Sequence, residues 1–145
     1  MKQLIVILSL LAAAGAATAA PAEYYNLGNP PGRPFSPAVR AGDFVYLAGQ
    51  LGTDDKGLVP GGIEAQSRKA MDNIGAVLRG VGLGMDDIIK CTVFIADINK
   101  WGDFNKVYVS YFKPGHLPAR SALGANGLAL GGEVEVECIA YAPQK

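Results

Sequence analysis

The sequence predicts one α/β (α+β) domain in which a mixed β-sheet packs both of its helices on one face. Two stretches carry apolar residues at three- and four-residue steps, which is typical of helices that bury one side. Short runs rich in β-branched residues, one of them strictly alternating, indicate strands. The elements follow one another as hairpin, helix, strand, helix, strand, strand, and 145 residues is the length of one ordinary domain.

The first 19 residues have the organisation of a secretory signal peptide. Lys2 precedes an apolar stretch from Leu4 to Ala14, and Ala17-Thr18-Ala19 has the A-x-A form of a cleavage site. The stretch is shorter than the roughly 20 residues that a membrane-spanning helix needs, although a retained anchor is the alternative. We therefore expect export, periplasmic or secreted, and no membrane contact once residues 1–19 are removed.

Residues 20–36 should form an N-terminal arm ahead of the folded domain, residues 37–145. The arm is rich in Pro, Gly and Asn and lacks a hydrophobic period, so we expect an irregular path over the surface. Its aromatic residues Tyr24, Tyr25 and Phe35 are expected to hold it in place.

The first half of the domain combines a hairpin with a helix. The runs 38–40 and 44–48 flank a Gly-Asp pair that favours a tight reversal, and a glycine-rich loop follows over 52–62. Apolar residues then recur at helical spacing from Ile63 to Val81, and glycines on either side of Val81 end the helix.

The second half predicts three strands and one helix. A buried strand, Ile88–Ile95, comes first, and a helix from Trp101 to Phe112 follows and ends before Pro114-Gly115. A short strand near Arg120 to Leu123 and an alternating strand Glu133–Tyr141 come next, separated by a glycine-rich turn over 124–132. In this last strand Val134, Val136, Cys138 and Ala140 share one face, and Glu135, Glu137, Ile139 and Tyr141 share the other.

The two cysteines, Cys91 and Cys138, both lie in segments that read as interior strands. Buried cysteine usually behaves as a small hydrophobic residue, so we expect the two thiols to remain unbridged. Export makes a disulfide possible, but two cysteines alone do not form a disulfide framework.

Several classes of function are excluded by composition and motif position. Equal numbers of acidic and basic side chains, 13 each, predict no nucleic-acid partner. His116 is the only histidine and no cysteine pair has ligand spacing, so no metal site is predicted. The glycines of 80–84 follow a helix rather than precede one, which indicates a helix end and not a dinucleotide loop. Ser121 has no neighbouring histidine or lysine base in sequence.

Two polar residues remain as candidates for a binding site. Arg120 lies in an otherwise apolar predicted strand, and its planar guanidinium can bind a carboxylate through two parallel hydrogen bonds. An ion pair or an exposed edge position would also explain an arginine here. Burying a carboxylate at an inward-facing strand position costs free energy unless the carboxylate pairs with another group or takes part in chemistry. Glu135 is a candidate for such a position. Glu137 is an equal candidate at this point, and either glutamate would otherwise be a solvated residue of the outer face.

Several separated segments between residues 35 and 143 carry a family pattern. They are Phe35-Ser36-Pro37-Ala38-Val39, Ala48-Gly49-Gln50, Gln66 to Asn73, Thr92-Val93-Phe94-Ile95-Ala96-Asp97-Ile98, Asn105, Pro118-Ala119-Arg120-Ser121 and Glu133 to Ala140. Together they resemble the reactive intermediate deaminase family, RidA/YjgF.

The resemblance implies a chorismate-mutase-like fold, with a mixed six-stranded sheet, that assembles as a homotrimer with ligand sites between subunits. It implies that Arg120 binds a substrate carboxylate and Glu135 positions water, while Gly49, Asn105, Phe35 and Ala122 line or support the cleft. The implied reaction is the hydrolysis of small enamines and imines, such as 2-aminoacrylate, 2-iminopropanoate and 2-iminobutanoate, to 2-oxo acids and ammonia. It needs no cofactor, and the expected ligand is a small imino or 2-oxo acid.

The sequence departs from the best-known deaminase pattern at three positions. Phe35, Ala48 and Ala122 stand where tyrosine, serine and cysteine are usual, and each change removes a polar group. The alternative is therefore a non-catalytic binding or holdase trimer. A ribonuclease activity is the third reading, but neither a basic face nor a histidine pair supports it.

Overall fold

The structure is a computed structural model that describes residues 20–143. The predicted signal peptide, residues 1–19, and the last two residues lie outside the described part. The helices are α1 Gly62–Gly80 and α2 Trp101–Tyr108. The strands are β1 Glu23–Tyr25, β2 Ala38–Ala41, β3 Phe44–Leu47, β4 Gln50–Leu51, β5 Thr53–Asp54, β6 Gly57–Leu58, β7 Ile88–Ile95, β8 Ala119–Gly124 and β9 Val134–Tyr141.

The main sheet is mixed, as predicted. Six strands run in the order β1-β2-β3-β9-β7-β8, and the short β4 pairs with β9 as a seventh. All these neighbours are antiparallel except β7 and β8, which are parallel. A parallel pair needs a crossover connection, and α2 lies in the connection between β7 and β8. This connection places α2 next to the strand that carries Arg120.

One hydrophobic core lies between the sheet and the two helices. From α1 it contains Ala70, Met71, Ile74 and Leu78, and from α2 it contains Phe104 and Tyr108. The inward residues of β7 and β9 complete it, so the alternating pattern of the last strand was assigned to the correct face. Within residues 20–143 no helix is long and apolar enough to cross a membrane.

The N-terminal arm is less irregular than predicted. Its residues Glu23–Tyr25 form β1, which pairs with β2 and covers the backbone groups of that edge. The remainder of the arm has no regular structure, as expected. Tyr25 packs against the core, whereas Tyr24 is 75% exposed and Phe35 is 49% exposed, so only one of the three aromatic residues holds the arm as predicted.

The expectation that Cys91 and Cys138 remain unbridged is wrong in this structure. The two residues are direct cross-strand partners on β7 and β9, their Cα atoms are 4.1 Å apart, and a disulfide joins them. They lie 47 residues apart in sequence. Only the register of the two antiparallel strands brings them opposite each other, and the sequence pattern does not specify that register.

Candidate functional site

Arg120 lies on β8 with its guanidinium against an aromatic surface of α2. Its Cζ atom is 5.0 Å from the ring centroid of Trp101, 5.6 Å from that of Phe104 and 4.6 Å from that of Tyr108. The rings follow one another at three- and four-residue steps on α2, so they present one face to the strand. Cation–π contacts favour a guanidinium in this position, and the three rings fix where it sits.

No carboxylate neutralises this guanidinium within residues 20–143, which contain no hydrogen bond or ion pair of Arg120. The side chain instead borders a cleft of about 340 Å³. The other residues of that cleft are Asn105, Tyr108, Val109, Leu117 and Pro118. Because aromatic rings hold the guanidinium and no acidic residue of the described chain pairs with it, its N–H groups are free to bind an external anion. The ion-pair interpretation of Arg120 therefore finds no support in the described residues.

Two further polar groups of the Arg120 cleft are buried without a hydrogen-bond partner. They are the Oδ1 atom of Asn105 and the hydroxyl of Tyr108. Burial raises the pKa of Tyr108 above its ordinary value of 10.0, and the positive charge of Arg120 opposes that shift. The phenol is therefore protonated at neutral pH and can donate a hydrogen bond.

Glu135 lies on β9, half-buried, and its carboxylate sits against the backbone of Gly49. A Cβ atom built on Gly49 would lie 2.0 Å from Glu135 Oε1 and 2.9 Å from its Cδ. A side chain at position 49 would thus occupy the space that the carboxylate uses. Close approach, rather than an unusual backbone conformation, is the reason for glycine here.

Glu135 and Gly49 border a larger cleft of about 760 Å³. Phe35 and Ala48 line it, together with Arg33 from the arm and Leu130, which is 75% exposed. The charged residues Asp54, Asp55 and Lys56 lie at the β5–β6 turn on its border.

The candidate residues therefore fall into two groups that lie on opposite faces of the sheet. Arg120 pairs in register with the inward-facing Cys91, and Ala122 pairs with the inward-facing Val93. Glu135 pairs with Phe94, whose side chain belongs to the other face. The structure brings Arg120 together with Asn105, and it brings Glu135 together with Gly49, Phe35 and Ala48. Within one chain Arg120 and Glu135 do not form a single site.

Ala122 and Glu137 occupy less central positions than the other candidates. Ala122 packs against the hydrophobic core rather than lining either cleft. Glu137 shares the outer face with Glu135 but is exposed. Of the two glutamates that the sequence left open, Glu135 is the half-buried one and borders the larger cleft, whereas Glu137 lines a smaller cleft of about 150 Å³.

Two features of the site were missed by reasoning from sequence. Trp101, Phe104 and Tyr108 were recognised as an apolar helical stripe, but nothing in that spacing showed that a guanidinium lies on them. Ser121 does have a lysine neighbour, because Lys90 Nζ donates to its Oγ at 2.7 Å across β7 and β8. In this exposed contact the lysine donates and the serine hydroxyl accepts. Within residues 20–143 no group of three potential metal ligands occurs.

The fold and the Arg120 cleft define a small α+β protein with a candidate site for an anionic group. A family model described as endoribonuclease L-PSP matches residues 28–142. The chain is 39% identical over 109 residues to the mouse protein named 2-iminobutanoate/2-iminopropanoate deaminase, covering 74% of this chain and 80% of that protein. It is 41% identical to the bovine protein of the same name, covering 74% and 79%. The crystal structure of YyfA from Yersinia pestis, a protein of the conserved Rid family, superposes with a TM-score of 0.77 at 36% identity, over 84% of this chain and 100% of that one. The chain belongs to the RidA/YjgF family.

Proposed function

We propose that this protein hydrolyses small 2-imino acids to 2-oxo acids and ammonia. The observation that carries the proposal is Arg120, a guanidinium held by three rings with no acidic partner in the described residues. Such a group suits the carboxylate that every 2-imino acid carries next to its imine carbon. The names of the mouse and bovine relatives support the same reaction.

The proposed working form is a homotrimer in which two subunits contribute to each site. Since Arg120 and Glu135 lie on opposite faces of one sheet, a second copy must supply the partner residue if both act on one molecule. The outer face of the sheet supports such an assembly, because no helix of residues 20–143 covers it and it exposes Phe44, Tyr46 and Tyr141 by 40–48%. Exposed apolar patches of this kind are typical of protein interfaces.

The proposed chemistry needs positioning and proton transfer but no cofactor. Arg120 binds the carboxylate and so orients the imine carbon. Glu135 accepts a proton from water while the water oxygen bonds to that carbon, and the electron pair of the C=N bond takes up this proton on nitrogen, which gives a carbinolamine. Glu135 then accepts the hydroxyl proton of the carbinolamine and passes it to the nitrogen. The C–N bond breaks, ammonia leaves and the carbonyl forms. Gly49 contributes by leaving the carboxylate of Glu135 the space in which it acts.

The residues that replace the usual polar groups influence which imine is accepted. Phe35 and Ala48 line the Glu135 cleft and add apolar surface to it. This composition favours imino acids with a small aliphatic side chain over those with a polar one.

The test is an assay in which an amino-acid oxidase generates 2-iminobutanoate and semicarbazide traps what remains. Purified mature protein should reduce the semicarbazone yield. Arg120→Ala should lower kcat/KM at least about 100-fold, because it loses charged hydrogen bonds to the carboxylate. Glu135→Gln should lower kcat by about 10²–10⁴-fold, the usual contribution of a general base.

Glu137→Gln is the matched control, since Glu137 lies two residues along the same strand face and outside the Glu135 cleft. It should retain wild-type rates. Wild-type protein that does not accelerate hydrolysis above buffer would overturn the proposal. Binding of 2-oxobutanoate without turnover would instead indicate a non-catalytic binding protein. Light scattering of the mature chain tests the trimer directly.

We further propose that residues 1–19 direct export and are removed. The support is the signal-like sequence together with the Cys91–Cys138 disulfide, since disulfides persist mainly in oxidising compartments. N-terminal sequencing of protein recovered from periplasm or medium should begin at Ala20. Recovery of the unprocessed chain from the cytoplasm would contradict this.

A further inference from the structure

The Arg120 cleft contains a buried polar side chain with no role so far, Tyr108. Tyr108 is 3% exposed, and no other described residue forms a hydrogen bond with its hydroxyl. A buried hydroxyl without a partner is costly, so its presence beside a cleft requires a physical explanation.

The ring of Tyr108 is fixed on three sides. Its centroid lies 5.5 Å from that of Phe104 and 4.8 Å from that of Phe112, and the Cζ atom of Arg120 lies 4.6 Å from it. Tyr108 and Arg120 line the same cleft. An anion that binds the guanidinium from that cleft therefore approaches the ring that carries the unpaired hydroxyl.

We propose that Tyr108 is a ligand-binding residue whose hydroxyl donates a hydrogen bond to the carboxylate held by Arg120. The inference rests on the proposed function for the identity of the ligand, a small 2-imino or 2-oxo acid. A carboxylate has more lone pairs than a guanidinium fork satisfies, so it accepts a further donor from a second side. In this arrangement ligand binding satisfies the hydroxyl, and Arg120 and Tyr108 act as one receptor for the anion.

The variant that tests the proposal is Tyr108→Phe, which keeps the ring and the cation–π contact and removes only the hydroxyl. Calorimetry with 2-oxobutanoate should show Kd raised about tenfold, the effect expected for loss of one hydrogen bond to a charged group. KM for 2-iminobutanoate should rise similarly while kcat stays within about twofold, because the contact is made equally in ground and transition states. The thermal midpoint should stay the same or increase, since the variant removes an unpaired buried polar group.

Tyr111→Phe is the matched control. The hydroxyl of Tyr111 is paired, because it donates to Asp72 Oδ1 at 2.8 Å and lies 2.9 Å from the Arg68 carbonyl oxygen, and it borders neither cleft. This variant should show the opposite result, a lower thermal midpoint with unchanged Kd.

Two outcomes would overturn the proposal. The first is an unchanged Kd in Tyr108→Phe, which together with a lower thermal midpoint would indicate a purely structural hydroxyl. The second is no binding of 2-oxobutanoate by the wild type. Failure of the deaminase function gives a different result. In that case the wild type binds 2-oxobutanoate without turnover, and Tyr108→Phe still binds it about tenfold more weakly.

Discussion

The close contact between Gly49 and Glu135 predicts that the substitution Gly49→Ala lowers activity while changing stability little. In Gly49→Ala the new Cβ would lie 2.0 Å from Glu135 Oε1, whereas ordinary contact begins at 3.4 Å, so the carboxylate must move by more than an ångström. The carboxylate ends a flexible side chain that borders a cleft of about 760 Å³, so it can move at little cost. Misplacement of a catalytic group by about 1 Å costs roughly 100-fold in rate. We expect kcat/KM to fall by about that factor while the thermal midpoint changes by no more than about 2 °C.

Gly52→Ala is the control with the reverse expectation. There the new Cβ would lie 2.5 Å from the Cα atom and 2.6 Å from the carbonyl oxygen of Gln66, which belong to the backbone of α1 and cannot rotate away. Overpacking of this kind costs about 1–3 kcal/mol, which corresponds to a decrease of several degrees in thermal midpoint for a domain of this size. The fraction of Gly52→Ala that remains folded should keep the wild-type kcat, because the substitution does not displace Glu135.

The assay is the semicarbazide competition combined with thermal unfolding of each variant. Since Gly49→Ala is expected to act through Glu135, the double variant with Glu135→Gln should be no less active than Glu135→Gln alone. Wild-type activity in Gly49→Ala would refute the assigned position of the carboxylate. Additive losses in the double variant would refute the idea that both substitutions act through one group.

Two further predictions concern stability. Replacing both Cys91 and Cys138 by alanine removes a cross-link between residues 47 positions apart, and the chain-entropy model gives a decrease of about 4 kcal/mol in the free energy of unfolding. Denaturant unfolding of the oxidised wild type and of the double alanine variant measures this decrease. Equal stability of the two proteins would show that the disulfide does not form in solution. Burial and the hydrogen bond with Asp72 raise the pKa of Tyr111 above the ordinary 10.0, so the unfolded chain loses this proton first as pH rises. The stability that this group contributes is therefore complete below about pH 10 and is lost progressively above it. The difference in free energy of unfolding between wild type and Tyr111→Phe should be constant up to about pH 10 and should shrink as the pH rises further. A difference that stays constant above about pH 10 would contradict the shift.

The sequence by itself determined the order of elements, the inward face of the last strand and the positions of Arg120 and Glu135. Those features depend on local periodicity, which hydrophobic burial imposes on the chain residue by residue. The family resemblance added the site residues, because separated motifs retain information that no single segment carries.

Only the tertiary structure decided which of these residues lie together. Strand register placed Cys91 opposite Cys138 and put Arg120 and Glu135 on opposite faces of the sheet. The crossover through α2 placed three rings beneath the Arg120 guanidinium. Sequence periodicity correctly put these rings on the core-facing side of the helix but did not show that a guanidinium lies on them. Register and packing between distant segments depend on contacts across many residues, and a local pattern cannot encode them.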